Sequence, residues 1–180
     1  AYTPSSGEAM SIIQSEKQAL NDFVDDLQSL TNDPKLTQLR NDIRSFERRG
    51  KDKVIIFTQY TDTLEYIRDA LVQTHSEVGT YSGDGGYEYD KNDDSWHEVG
   101  KEAITQRFKS GEVRFLVCND AASEGLNLQT ADALINYDLP WNPMRVEQRI
   151  GRIDRIGQEN DEVEIINYAY EDSIDGDIYE

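Results

Sequence analysis

Four arginines, Arg145, Arg149, Arg152 and Arg155, fall within eleven residues of a 180-residue chain whose formal net charge is −18. A guanidinium is a planar fork that meets phosphate oxygens two at a time, and it stays charged at any working pH. Spacing sorts the cluster. At about 100° per residue in an α-helix, Gln148, Arg152 and Arg155 lie within roughly 60° of one another. Val146, Ile150 and Ile153 group on the opposite side, about 140–200° from Gln148. Arg149 points about 100° away from Gln148, as a structural or salt-bridging residue would. One face can therefore pack on a core while the other offers an amide and two guanidiniums to a phosphate-bearing cleft. On the helix alone, a solvated amphipathic segment with an ordinary basic face is an equal reading.

The elements that must hold this face can be read around it. Asn142 is a good N-cap and Pro143 suits the first helical position, which needs no backbone donor. Gly157 can take the left-handed conformation that closes a helix. Upstream, residues 114–118 and 133–137 read as buried strands, joined through the small and polar residues 119–128. Parallel α/β sheets place their chemistry in loops at such strand ends.

Residues 123–128 (Ser-Glu-Gly-Leu-Asn-Leu), 137–143 (Tyr-Asp-Leu-Pro-Trp-Asn-Pro) and the Gln-x-x-Gly-Arg-x-x-Arg-Ile-Gly-Gln run over 148–158 resemble motifs V and VI of superfamily 2 helicases. More narrowly, they resemble the Swi/Snf-type ATPases. Residues 53–60 (Lys-Val-Ile-Ile-Phe-Thr-Gln-Tyr) are similar to that family's motif IV strand, and 112–118 to the strand entering motif V. The ordered resemblance covers residues 34–175. It implies the C-terminal motor lobe of an ATP-dependent translocase on double-stranded DNA. By the same resemblance, Arg152 and Arg155 face the phosphates of ATP held by another lobe, and Gln148 aligns that face. Gly125 allows close approach of ribose or phosphates, and Asn127 makes a polar contact. Thr58, Gln59, Ser82, Gly83 and Asn119 stand where the family touches the DNA backbone. Trp141 either lies on the DNA path or plugs the sheet edge.

Two departures narrow the branch. Ala121-Ala122-Ser123 replaces a common Ala-Gly-Gly, and Cys118-Asn119 replaces Ser-Thr. That variant is similar to the bacterial branch that includes the RNA-polymerase-associated recycling ATPase. RNA polymerase and DNA-defence complexes of the phage-defence or restriction type join double-stranded DNA and an N-terminal RecA-like lobe as expected partners.

The sequence has no Gly-x-x-x-x-Gly-Lys-[Ser/Thr] loop and no Asp-Glu-x-His box after an apolar strand. A nucleoside triphosphate needs a phosphate-cradling loop and a magnesium-binding acid. In the family that the motifs resemble those groups sit on a first RecA-like lobe, so ATP with Mg2+ is expected mainly there, and this chain by itself should not turn ATP over. The alternative is a non-catalytic RecA-like module that docks on a protein through its acidic surface. The arginine face argues against it, since docking does not require that face.

Composition fits one compact domain with a helical extension. No apolar run is long enough to span a bilayer, and no signal peptide is visible, so a cytoplasmic protein without a membrane partner is expected. Cys118, the single cysteine, ends an apolar strand and reads as a buried thiol. His75 and His97 have no ligand-spaced partners, so no metal site is expected. A net charge of −18 repels nucleic acid at long range, although much of the acid is segregated into 84–94 and 159–180; the acidity argues weakly against tight autonomous DNA binding by this chain.

Helices are expected over 8–30, 34–49, 61–73 and 97–109, and strands over 53–58, 78–81 and 162–170. Residues 82–86 form a glycine-rich turn or a weak phosphate loop, and 87–95 a mobile polar insert. The alternation implies an α/β fold, a RecA-like P-loop-type lobe with a parallel sheet covered by helices on both faces. Residues 1–50 would be a helical lead-in and 51–180 the lobe.

Overall fold

The apolar runs of the chain, joined by one polar hairpin, become the strands of one sheet. In the computed structural model, which describes residues 6–29, 33–120, 128–153 and 162–169, these are β1 (Val54–Thr58), β2 (Val78–Ser82), β3 (Gly85–Asp90), β4 (Ser95–Glu98), β5 (Phe115–Asn119), β6 (Ala133–Asn136) and β7 (Glu164–Asn167). They lie side by side in the order β4-β3-β2-β5-β1-β6-β7. The five strands from β2 to β7 are mutually parallel, while β3 and β4 join β2 as an antiparallel hairpin. Helices α1 (Ser6–Ser29), α2 (Pro34–Arg48), α3 (Thr61–Val72), α4 (Lys101–Ser110) and α5 (Pro143–Ile150) complete the chain.

Every residue of β1 and β5 is buried. Side chains alternate across a sheet, so burial of the whole strand requires cover on both faces. On one face Ile55, Phe57, Leu116, Cys118 and Leu134 pack with Ile104 and Phe108 of α4 and with Ile153. The other face, with Val54, Ile56, Phe115, Val117 and Ile135, is equally closed. The expected RecA-like α/β lobe is what forms.

The polar insert expected over 87–95 is instead the hairpin. Tyr89 pairs with Trp96 and Glu88 with His97 across it, with the Tyr89 and Trp96 rings 5.7 Å apart. Glycine closes it against the lobe: a Cβ on Gly86 would lie 2.5 Å from the Gly100 carbonyl oxygen. The hairpin also gives His97 two acidic neighbours that the reading of the sequence did not pair with it. Asp90, Asp93 and His97 bring ligand-type atoms within 4.8 Å of one another at its exposed end, where His97 Nε2 lies 2.8 Å from Asp93.

The chain divides into two compact units between Thr37 and Gln38. In the first, α1 exposes Ile13, Leu20, Phe23 and Val24. The second takes in most of α2, which the sequence assigns to the lead-in. Asp33 caps α2, accepting from the amides of Lys35 (2.8 Å) and Leu36 (3.2 Å). Leu39, Ile43 and Phe46, one stripe at helical spacing, are fully buried. Polar ties fix this helix to the last strand: Arg49 donates to both carboxylate oxygens of Glu164, at 2.6 and 3.1 Å, and the Tyr168 hydroxyl donates to Asp42 at 2.6 Å. The Arg49 hydrogen bond holds the Glu164 carboxyl below the usual carboxylate range. Burial, reinforced by the bond to Asp42, pushes the Tyr168 hydroxyl above the usual phenol range.

Candidate active site edge

The carboxyl ends of the parallel strands carry a row of polar residues after apolar runs. Thr58 and Asn119 are register partners, Asn136 pairs with Asn167, and Ser82 ends β2 beside them. Hydrogen bonds organise the row. Asp138, just past β6, accepts from the Thr58 hydroxyl and from the Gln59 amide at 2.9 Å. Gln59 Nε2 donates to the Leu139 carbonyl at 3.1 Å. Asn136 donates to the Asn167 side chain at 2.7 Å. The Asn119 side-chain amide reaches Thr61 at 3.5 Å, and its buried Oδ1 has no partner among the described residues.

Helix α5 joins this edge through Arg149. Asn142 caps the helix, accepting from the Met144 amide at 3.1 Å, with Pro143 in the first turn, as the sequence indicates. Arg149 is the largest of the fully buried side chains. Its Nε donates to Asp120 at 2.8 Å, and one Nη donates to Asn136 Oδ1 at 2.9 Å and to the Asp138 carbonyl at 3.0 Å. The other Nη is an ion-pair neighbour of Asp120 (2.7 Å) and, more distantly, of Asp138 (3.9 Å). Arg149 also lies over the Phe57 ring, 5.3 Å from its centroid. Arg145 approaches Asp120 from the exposed side at 3.4 Å. A buried cation is tolerable only when paired and hydrogen-bonded; here Asp120 supplies the close charge and three acceptors are hydrogen-bonded, while the second Nη has ion-pair proximity without a hydrogen bond among the described residues. The structural role expected of Arg149 is borne out. Sequence reasoning passed over its partners Asp120, Asn136 and Asp138; the signal was a polar residue closing each apolar strand.

The helix is shorter than expected. It ends at Ile150, and Gly151 caps it in an αR conformation. Arg152 N donates to Arg149 O and Ile153 N to Ile150 O, three-residue bonds that tighten the last turn. Glycine costs about 1 kcal/mol in a helix interior relative to alanine, which favours a stop here; Gly157 lies outside the described residues. Arg152 thus sits on a turn and not on a continuing helix face. Val146 and Ile153 are buried as expected, but Ile150 is only half-buried.

The expected site residues are distributed as follows. Thr58, Ser82 and Asn119 are buried along one sheet edge, Gln59 is half-buried beside them, Gly83 is exposed, Gln148 is exposed on α5, and Arg152 is half-buried. Gly125, Asn127 and Arg155 lie outside the described residues. The first described residue beyond Asn127 nevertheless touches the arginine turn: Leu128 N donates to Arg152 O at 3.3 Å. Arg145 and Arg149 share Asp120, whereas Arg152 makes no ion pair among the described residues. Trp141 does not plug the sheet edge; it is 72% exposed, next to the 63% exposed Met144. Burial pushes the Cys118 thiol up, against the opposing pull of Arg149, so it is no nucleophile.

Residues 34–157 match the helicase conserved C-terminal domain. The chain belongs to this family. As a helicase C-terminal lobe it is 37% identical over 169 residues to the uncharacterized ATP-dependent helicase YqhH of Bacillus subtilis, covering 90% of this chain and 27% of that protein. It is 51% identical over 119 residues to the RNA polymerase-associated protein RapA of Vibrio vulnificus, 66% of this chain and 12% of that protein. The lobe therefore spans well under a third of these relatives, and the superfamily 2, Swi/Snf-type resemblance of its motifs stands. Its fold is that of the C-terminal part of the Fun30 ATPase domain (TM-score 0.66, 21% identity, 97% of this chain and 53% of the other). The Pyrococcus furiosus Hef helicase domain shares it too (TM-score 0.61, 24% identity, 92% and 31%). Among the described residues no helix of the lobe is long and apolar enough to cross a membrane.

Proposed function

We propose that this lobe is the C-terminal half of an ATP-driven motor on double-stranded DNA, completed by an N-terminal RecA-like lobe of the same protein. The observation that carries the reading is the contrast among the arginines. In a chain with 36 acidic residues, Arg152 makes no ion pair among the described residues while its neighbours Arg145 and Arg149 are both paired. A half-buried guanidinium with no carboxylate partner among the described residues fits an anionic ligand that arrives from outside.

ATP with Mg2+, held mainly by the other lobe, would supply the transferable phosphoryl group. Arg152 and Arg155 would donate to its phosphate oxygens as charge develops, which is stabilisation by prepositioned donors. Gln148 would align this face, and Gly125 and Asn127 would contact the nucleotide. The DNA path would follow the strand ends carrying Thr58, Gln59, Ser82, Gly83 and Asn119. Thr58 is buried, so its part is to hold the 58–60 loop, while Gln59 and Gly83 are the accessible members. The RapA relatives make RNA polymerase the first partner to test, before DNA-defence complexes.

The test is Arg152→Ala and Arg155→Ala in the full-length protein. DNA-stimulated ATP turnover should fall by on the order of 10³-fold, the low end for a missing arginine finger. DNA affinity without nucleotide should stay within about twofold, and Arg→Lys should rescue poorly because the bidentate fork is lost. Parallel loss of DNA affinity and turnover would move these arginines onto the nucleic-acid path. The interaction-module reading predicts no turnover to lose.

A further inference from the structure

The buried polar cluster under α5 joins two surfaces that the proposed function assigns to different ligands. On one side Asp138 takes the Thr58 hydroxyl and the Gln59 amide, which sets the loop on the proposed DNA path. On the other side the Asp138 carbonyl and the Asn136 side chain receive Arg149, whose guanidinium also holds Asp120. Arg149 is one residue from Gln148 and, through its own carbonyl, accepts the amide of Arg152. Two residues, Asp138 through its carboxylate and carbonyl and Arg149 through its guanidinium and carbonyl, thus tie the DNA-side loop to the arginine turn.

We infer that Asp138 and Arg149 are positioning residues that couple DNA binding to nucleotide binding in this lobe. Neither touches a ligand. Asp138 is 16% exposed, Arg149 1% and Asp120 15%, so the contact is shielded from water and screened little by salt. A displacement of the 58–60 loop by DNA must drag the Asp138 carboxylate. The same residue's carbonyl is bonded to Arg149, so the α5 terminus must answer or the bond must break. Breaking it leaves a buried donor unsatisfied, which makes movement as a unit the cheaper response. Thr58→Asp138→Arg149→Arg152 is therefore a continuous run of bonded groups between the two ligand surfaces, and Asp120, with Arg145 at its exposed side, anchors the far end of the guanidinium.

Coupling between two sites is measured as a ratio of affinities, and the ratio is reciprocal. The experiment takes the full-length protein and titrates a fluorescent DNA duplex with and without a non-hydrolysable ATP analogue. Asp138→Asn keeps the size of the side chain and removes its charge; Arg149→Lys keeps the charge and removes the fork. In wild type the analogue should change DNA affinity by at least about fivefold, the lower end of ordinary coupling. In both variants that ratio should fall to within about twofold of unity, while each variant's affinity for DNA alone stays within about threefold of wild type. A scaffold role would weaken both ligands together and leave the ratio intact, and that outcome overturns the inference. The inference rests on the motor reading, and the two fail separately. A wild type with no DNA-stimulated ATP turnover sinks the motor, whereas a wild type that is stimulated but keeps its ratio in Asp138→Asn sinks only the coupling.

Discussion

Replacing Arg149 by methionine should destabilise the lobe more than any other single arginine change. The substitution keeps an aliphatic stem but deletes the guanidinium, which lies over the Phe57 ring and sits 1% exposed between Asp120 and Asp138. Removing one partner of a buried ion pair costs about 3–5 kcal/mol, because the remaining charge is left buried without compensation. Here two carboxylates remain, and the Asn136 Oδ1 and Asp138 carbonyl lose their 2.9 and 3.0 Å donors as well. For a chain of about 150–250 residues, 1 kcal/mol moves the melting temperature by about 2–4 °C. The expected drop is therefore about 6–20 °C, read by circular dichroism or calorimetry on this chain at neutral pH. Arg149→Lys should fall between wild type and methionine, since an ammonium can still neutralise Asp120 but cannot span three acceptors. Arg145→Met, which removes only a 3.4 Å contact from a 56% exposed side chain, should melt within about 2 °C of wild type. An Arg149→Met protein as stable as Arg145→Met would refute the claim that this guanidinium holds the site together.

Two further outcomes test the packing. The Tyr168 hydroxyl is pushed up by burial and by its bond to Asp42; since its folded value exceeds its unfolded one, its stabilisation is complete below about pH 10 and declines as the pH rises beyond that. Tyr168→Phe should flatten this alkaline limb in urea titrations at pH 8–11, and an unchanged limb would remove Tyr168 as its source. Gly86→Ala would press a methyl to within 2.5 Å of the Gly100 carbonyl oxygen and 2.6 Å of Ile104, costing about 1–3 kcal/mol by overpacking; a melting temperature unchanged in this variant would mean the hairpin sits farther from α4 than described.

What the sequence made legible is what depends on neighbours in the chain. Val54 to Phe57 and Phe115 to Cys118 announce buried strands because all their side chains are apolar, and Asn142-Pro143 announces a helix start. The hairpin reads as a polar insert because its connection, Asp90 to Asp94, is wholly polar and masks the alternation of Tyr87, Glu88, Tyr89 and Asp90 that marks a strand. Helical spacing alone carries α5 through Gly151, where the backbone of the helix stops. Asp120, Asn136 and Asp138 were unassigned for a different reason. Their meaning comes from Arg149, and only the folded sheet brings them to it.

The order of strands carries a consequence for how the lobe is made. β1 lies at the centre of the parallel region, and both of its neighbours come much later in the chain: Val54 pairs with Phe115 on one side and Ala133 on the other. On the ribosome, β1 emerges with its whole backbone ladder unmet and waits until β5 and then β6 have been synthesised. The helices and the β3–β4 hairpin, whose contacts are local, can form meanwhile in microseconds, but they give β1 nothing to pair with. A strand buried along its whole length is thus left without its partners during synthesis, at about 5–20 residues per second for several seconds. Changes that slow elongation or delay completion of β5 should show up as aggregation of nascent chains long before they show up in the stability of the finished fold.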